Sequence, residues 1–284
     1  RSAGSSGGTT NLCLDENSVI SLSNNDSGTN NTLFGYQSGN DIASGGNFNS
    51  FFGHLSGTEI TTGEKNTMLG AYAGYSSLLP DKCVLVGYNA GGSGVMTATA
   101  DGTVAVGMNA LSNLTSGANN LAIGLEALDA CNTGTSNIAV GAGTLGALTD
   151  AVANVAMGLG ALGGNVSGNY NTAFGHQALQ TFNADIDGKN TAVGINAGQA
   201  VTTGDNNTIV GAFAGDALQG GADNTIIGAN ADASAVGGIN QIVIGHNTAG
   251  TGNNEVALGN TSISAIKAQV TSITAYSSDE RTKK

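Results

Sequence analysis

Charge is what this chain lacks most. Only 10% of its 284 residues are Asp, Glu, Lys or Arg, against about 25% in an ordinary globular protein. There is one proline, no tryptophan, and eight basic residues against twenty acidic ones. The net charge of −12 argues against nucleic acid as a partner, because phosphate backbones are held by basic stripes. It argues equally against anionic membrane surfaces. No run of about 18 apolar residues occurs, so no membrane insertion is expected. The three cysteines, Cys13, Cys83 and Cys131, are far apart, odd in number and lack C-x-x-C spacing. They read as unpaired thiols of a protein assembled in a reducing compartment. The opening "RSAGSSGGTT" is neither a signal peptide nor a folded element, and looks like a linker or the cut edge of a longer chain.

What is present is glycine, 46 residues of it, and a repeat. Few charges with much Gly and Asn would suit disorder, but 40% of the residues are hydrophobic and they recur regularly. One unit returns along the chain: "NTLFG" at 31, "NTMLG" at 66, "NIAVG" at 137, "NTAFG" at 171 and "NTIIG" at 224 are examples. The closing glycines are Gly35, Gly53, Gly70, Gly87, Gly107, Gly124, Gly141, Gly158, Gly175, Gly194, Gly211, Gly228, Gly245 and Gly259. Nine of the 13 intervals between them are 17 residues; the others are 18, 20, 19 and 14. A fixed period of this kind predicts a parallel β-solenoid of about 14 turns, each stacked on the last.

The columns around the glycine carry physical meaning. One residue before it is always apolar, and three before it stands Thr, Ser or an aliphatic residue. These positions share parity in a strand. Their face holds large side chains and is assigned to the core. The opposite face, with Asn, Ala or Ile, and Gly, is flat and suits packing against neighbouring chains. A second glycine lies seven residues before the first in ten repeats, where a corner needs positive φ. Asn stands four before the closing glycine in ten repeats and suits a hydrogen-bonded ladder. Each repeat is therefore expected to run strand, turn, strand, turn. With rungs about 4.8 Å apart the rod is roughly 60 Å long. So thin a coil leaves an apolar face, and a homotrimer along the rod is expected.

Candidate chemistry is sparse. His54, His176 and His246 all follow a closing glycine. On a threefold axis they would form rings able to hold a metal or an anion. They sit on non-adjacent rungs, however, and Tyr36 and Tyr88 share the column, so a column for bulky planar side chains is the better reading. No metal and no cofactor is expected. Acidic residues such as Asp26, Glu59, Glu64, Asp150, Asp185 and Asp205 show no pair at fixed spacing, which leaves a glycosidase site unindicated. Thr recurs three before the glycine but is interrupted by Val84, Val104, Leu121, Ile138 and Val155, which disfavours an ice-binding array.

These Asn-(Ser/Thr)-h-h-h-Gly units resemble the head domains of trimeric autotransporter adhesins over about residues 28–260. The resemblance implies a left-handed parallel β-roll of three chains. After Gly259 the glycine period stops, and "NTSISAIKAQVTSITAYSSDERTKK" reads as a connector at 261–276 in which three chains wrap together. The string "SDERTK" at 278–283 resembles the start of the C-terminal intramolecular chaperone of phage tailspikes and tail fibres. That family drives trimerisation and then cleaves itself off through a Ser–Lys pair. The resemblance implies Ser278 as nucleophile and Lys283 as base, with Asp279 and Arg281 at the other motif positions. Lysine acts as base only where burial lowers its pKa, and the pair is expected to be inactive here without the rest of the chaperone.

The expected organisation is a lead-in at 1–27, a solenoid shaft at 28–260, a connector at 261–276 and the first residues of a chaperone at 277–284. The expected function is non-enzymatic: the structural and host-attachment shaft of a trimeric viral tail fibre. Its partners would be a host surface receptor, a glycan, and other virion tail components, with the inserts at 92–102 and 180–188 as candidate contacts. Its location would be the virion. Two other readings remain: a bacterial surface adhesin head of the autotransporter type, and a capsule depolymerase with carboxylates in a groove between chains.

Overall fold

The computed structural model describes residues 20–21, 28–185 and 187–265. It is an all-β solenoid. The strands are β1 (Ile20–Ser21), β2 (Thr32–Phe34), β3 (Ser50–Phe52), β4 (Thr67–Leu69), β5 (Val84–Val86), β6 (Val104–Val106), β7 (Leu121–Ile123), β8 (Ile138–Val140), β9 (Val155–Met157), β10 (Thr172–Phe174), β11 (Thr191–Val193), β12 (Thr208–Val210), β13 (Thr225–Ile227), β14 (Ile242–Ile244) and β15 (Val256–Leu258). They form one sheet in chain order. From β2 to β15 every pairing is parallel and in register, repeat position on repeat position. The 14 parallel strands leave 13 turns between them. β1 pairs antiparallel with β2 and covers the first edge.

Each turn holds one three-residue strand, where the expectation was two. The rest of the turn is a series of corners, and the backbone explains why. Counting each closing glycine as 0, residues −5, 0 and +2 take positive φ in turn after turn, and +4 does so in eleven. Among the described residues 29 non-glycine residues lie there, against the few per cent usual. Asn is the commonest of them, since its short polar side chain tolerates this region. Such frequent left-handed residues bend the chain before a second strand can form.

The interior is the reverse of the expected face. The strand residue at −2 points inward: Leu33, Phe51, Met68, Leu85 and the alanines from Ala105 to Ala192 are buried. The large residues at −1 point outward, with Phe34 43%, Leu69 51% and Met157 45% exposed. Residues at +3 turn inward as well, although they share parity with −1 in the sequence. The left-handed residue at +2 lies between them and breaks the alternation that a straight strand would keep. A coil of 17 residues has little room inside. The small −2 side chains fit that room, and the large ones do not.

The Asn column lies inside too, and its hydrogen bonds account for its burial. The amide of Asn137 donates to the carbonyl of Ala151 at 2.7 Å, and its Oδ1 accepts the backbone N–H of Asn154 at 3.0 Å. The same bonds recur at Asn190, Asn207 and Asn224. Each Asn side chain thus ties a corner of the next rung to the strand and has its own polar atoms satisfied. Side chain also meets side chain along the column, as from Asn154 Nδ2 to Asn137 Oδ1 at 3.2 Å, so the expected ladder is present. It breaks at Cys83 and Thr103, which stand in the Asn position. Those rungs flank the longest interval, where a 3₁₀ turn at Ala98–Ala100 tucks Met96 and Ala100 into the core. Cys83 and Cys131 are buried free thiols. Burial pushes the first up to about 11 and the second to about 12, so neither is a nucleophile at neutral pH.

Candidate functional site

The feature that sets this surface apart is its outer β-face. Residues −3 and −1 of every strand project from it as two parallel columns. The −1 column is apolar in all fourteen repeats, from Phe34 to Leu258, and neither column contains a charged residue. Charge is confined to other corners: Glu64, Lys65, Asp81 and Lys82 lie at −6 and −5, and Asp129 and Asp216 at +5. With rungs about 4.8 Å apart and columns about 7 Å apart, the strip covers on the order of 600 Å². The −3 column holds Thr or Ser in seven of the fourteen repeats, so the continuous apolar part of the strip is the −1 column with the aliphatic half of its neighbour. β-branched and aromatic residues at −3 and −1 favour the strand, so one choice of residues makes both the sheet and the apolar strip.

Beside the strip runs a row of rings. Tyr36 stacks on His54 with centroids 5.4 Å apart, His54 meets Tyr72 edge-on at 5.4 Å, and Tyr72 meets Tyr75 and Tyr88 at 5.7 Å. Phe34 and Phe52 stack at 6.2 Å within the −1 column. His54 is thus one member of an aromatic stack. His246 has its own neighbours: its Nδ1 lies 3.2 Å from the carbonyl oxygen of Ala229, and Asn247 Nδ2 lies 3.0 Å from its Nε2. His176 sits on a separate rung between them. The three imidazoles are not brought together within one chain, and no group of three or more His, Cys, Asp or Glu able to hold a metal occurs among the described residues.

The insert at 92–102 packs inward through Met96 and Ala100. At 180–188, Phe182 is buried while polar groups gather outside. Ser167 donates to Asp185, Asn169 to Asp187 at 3.3 Å, and Lys189 lies 3.5 Å from Asp187. The closing glycines form a continuous column, each against the next rung's glycine. Ser278, Asp279, Arg281 and Lys283 lie outside the described residues, as do Cys13, the lead-in apart from Ile20–Ser21, and most of the connector.

One carboxyl pair has no signature in the repeat. Asp232 stands at +4, a position that is glycine or leucine in the eleven preceding turns. Its two oxygens accept the N–H groups of Ala217, at 2.9 Å, and Ala233, at 2.8 Å. It replaces a rung-to-rung backbone bond where the coil changes course. Burial, and then a hydrogen bond shared with Asp216 on the rung below, push its carboxyl up to about 7. The two N–H donors pull the other way without prevailing. A raised carboxyl pKa means that the folded chain holds a proton that the unfolded chain releases above about pH 4. The last turns should therefore lose stability as pH rises from about 4 to about 7, and change little from this source above that. Hydrogen exchange at the amides of Asp232 and Asn247, followed from pH 5 to 7.5, checks this after correction for the intrinsic exchange rate. In Asp216→Asn the pH slope should shrink.

No model of a known protein family matches this chain, and no curated protein matches it either.

Proposed function

We propose that this chain is the shaft of a homotrimeric fibre that attaches a virus to its host. The observation that carries the reading is the charge-free apolar strip, which runs the length of the rod. Water-exposed sheets are normally guarded by charge, and this rod carries its charge everywhere else. A partner with the same period matches it rung for rung, and another copy of the chain has that period by construction. Three parallel copies around one axis would bring three such strips together. The faces that meet are then the large −3 and −1 columns, since the small side chains are already used inside each coil. Host glycans and the other components of the tail would meet the polar corners, with the Ser167, Asp185 and Asp187 cluster as the first candidate contact.

The test is the number of chains in solution. Sedimentation equilibrium should give three per particle. Ile123→Asp with Val140→Asp places six carboxylates on the proposed axis. It should yield a monomer with an unchanged β-sheet circular dichroism spectrum, because both side chains already point out of the coil. A wild-type monomer, or a double variant that stays trimeric, would reject the shaft reading. Binding of the intact protein to host surface polysaccharides, lost on Asp185→Ala with Asp187→Ala, tests the attachment role separately.

A further inference from the structure

The two ends of the solenoid differ. At the first, β1 covers the edge of β2. At the last, β15 pairs with β14 alone among the described residues. In the preceding rungs the N–H at −3 donates to the next rung, as Thr225 does to Gln241 at 2.8 Å, and the carbonyl at −1 accepts the next closing glycine, as Ile227 does from Gly245 at 2.8 Å. On β15 the matching groups, the N–H of Val256 and the carbonyl of Leu258, have no partner among the described residues. The core also opens there: Val243 is fully buried in β14, whereas Ala257 in β15 is only partly so. β15 reads Val-Ala-Leu, with no charge, proline or bulge to guard it.

The chain also leaves its helical path at this point. Thirteen closing glycines have φ between 131° and 148°, but Gly259 has φ 77°. A turn follows, in which Ile263 N–H donates to the Asn260 carbonyl at 3.1 Å and Ser262 N–H to Asn260 Oδ1 at 2.9 Å. Asn260 Nδ2 pins this turn to the carbonyl of His246 at 2.8 Å. Ile263 lies against Gly259, so close that a methyl on the glycine would overlap it. The backbone is thereby held over the end of the coil instead of starting another rung. Beside the turn an open depression of about 460 Å³ is lined by Asn247, Ala249, Thr251 and Gly259 among others.

We propose that this end is a docking edge for residues 266–276 of the same chain, which add to β15 as a further strand. The segment is rich in strand formers: Ile266, Val270, Thr271, Ile273, Thr274 and Tyr276. It is tethered to the edge by the turn that ends at Ile263, which gives it a high effective concentration there. Main-chain bonds supply the affinity, as in other strand additions to an open edge. A second copy fits less well. Its first edge is already occupied by β1, and two last edges meeting end to end would have to accommodate two emerging chains.

Hydrogen exchange of the full chain tests this. The amide of Val256 should exchange at least about a hundredfold more slowly than an open edge amide. In Ala268→Pro with Val270→Pro and Thr271→Pro, which removes donors of both strand parities, that protection should vanish while the amides of β14 keep theirs. An unprotected Val256 in the wild-type chain overturns the proposal without recourse to any variant. Protection that survives the three prolines overturns it as well. So does protection that disappears when dilution separates the chains, which would assign the edge to another copy. A protected edge on a monomer would leave this inference standing and reject the trimeric shaft alone.

Discussion

Alanine in place of Gly124 is expected to break the rod in its middle. The glycine holds φ +138°, and a methyl there would lie 2.5 Å from the carbonyl oxygen of Gly141 in the next rung. Neither obstacle can be relieved locally. A φ in that region is open almost only to glycine and costs on the order of 1–3 kcal/mol for another residue. The carbonyl belongs to the backbone, so relief requires the rungs to part. That stretches the bonds on both sides, from Gly124 N–H to Val106 and from Gly141 N–H to Ile123, each 2.8 Å. The expected loss is more than about 3 kcal/mol, seen as a large drop in the thermal midpoint by circular dichroism. A solenoid is held by nearest-neighbour contacts, so proteolysis should nick near the β7–β8 junction before either half. Gly143 supplies the control. It too has positive φ, +59°, but a methyl there meets nothing within 4 Å. Gly143→Ala enters a left-handed conformation that many residues of this chain already adopt, and should cost about 1–2 kcal/mol. Equal losses at the two sites would mean that φ alone, and not the stacking of the column, makes the glycine necessary.

The same contact explains why the architecture was legible in the sequence. A column in which only glycine fits leaves its mark at every turn, and so does a corner that needs the Asn amide. Period, parallel stacking and the Asn ladder follow from those two columns. Which face is inside did not follow. Parity around Gly124 places Ile123 with Ala127, and the larger residues in that set made it look like a core. The chain reverses the relation at Glu126, whose left-handed φ of 55° no side-chain preference announces. The expected second strand failed for the same reason, since corners at +2, +4 and −5 leave no straight stretch. Asp232 was hidden differently. Its partner Asp216 is 16 residues away, and their meeting depends on the offset between +5 of one rung and +4 of the next. The exposed strip is visible in the sequence as a set of residues, while the side on which it lies is set by the left-handed corner at +2.

A second pattern was present in the sequence and becomes meaningful only with the interior known. The buried residue at −2 and the residue at +4 of the same turn trade volume. Leu33, Phe51, Met68, Leu85 and Ile209 are matched by Gly39, Gly57, Gly74, Gly91 and Gly215, whereas Ala105, Ala122, Ala139, Ala156 and Ala173 are matched by Leu111, Leu128, Leu145, Leu162 and Leu179. Space enforces the exchange. A methyl on Gly91 would sit 3.0 Å from Leu85 Cδ1, and one on Gly74 2.5 Å from the Met68 sulfur. At Ala192 and Gly198 both members are small, and Ile209, Leu179 and Val201 fill the gap from neighbouring positions. The leucines at +4 have φ of 50° to 53°, an unfavourable backbone for them that their complete burial offsets. Leu85→Ala alone should therefore cost about 3–5 kcal/mol, as a buried cavity does. Gly91→Leu alone should cost about 2–4 kcal/mol through overpacking and backbone strain. Together they convert this turn to the type that follows it, and the pair should recover about a third of the summed loss. A double-mutant cycle by denaturant unfolding should give a favourable coupling of about 2–3 kcal/mol, at the upper end for residues in contact. Additive losses would mean that the two positions do not share one space, and the alternation along the rod would then have no packing cause.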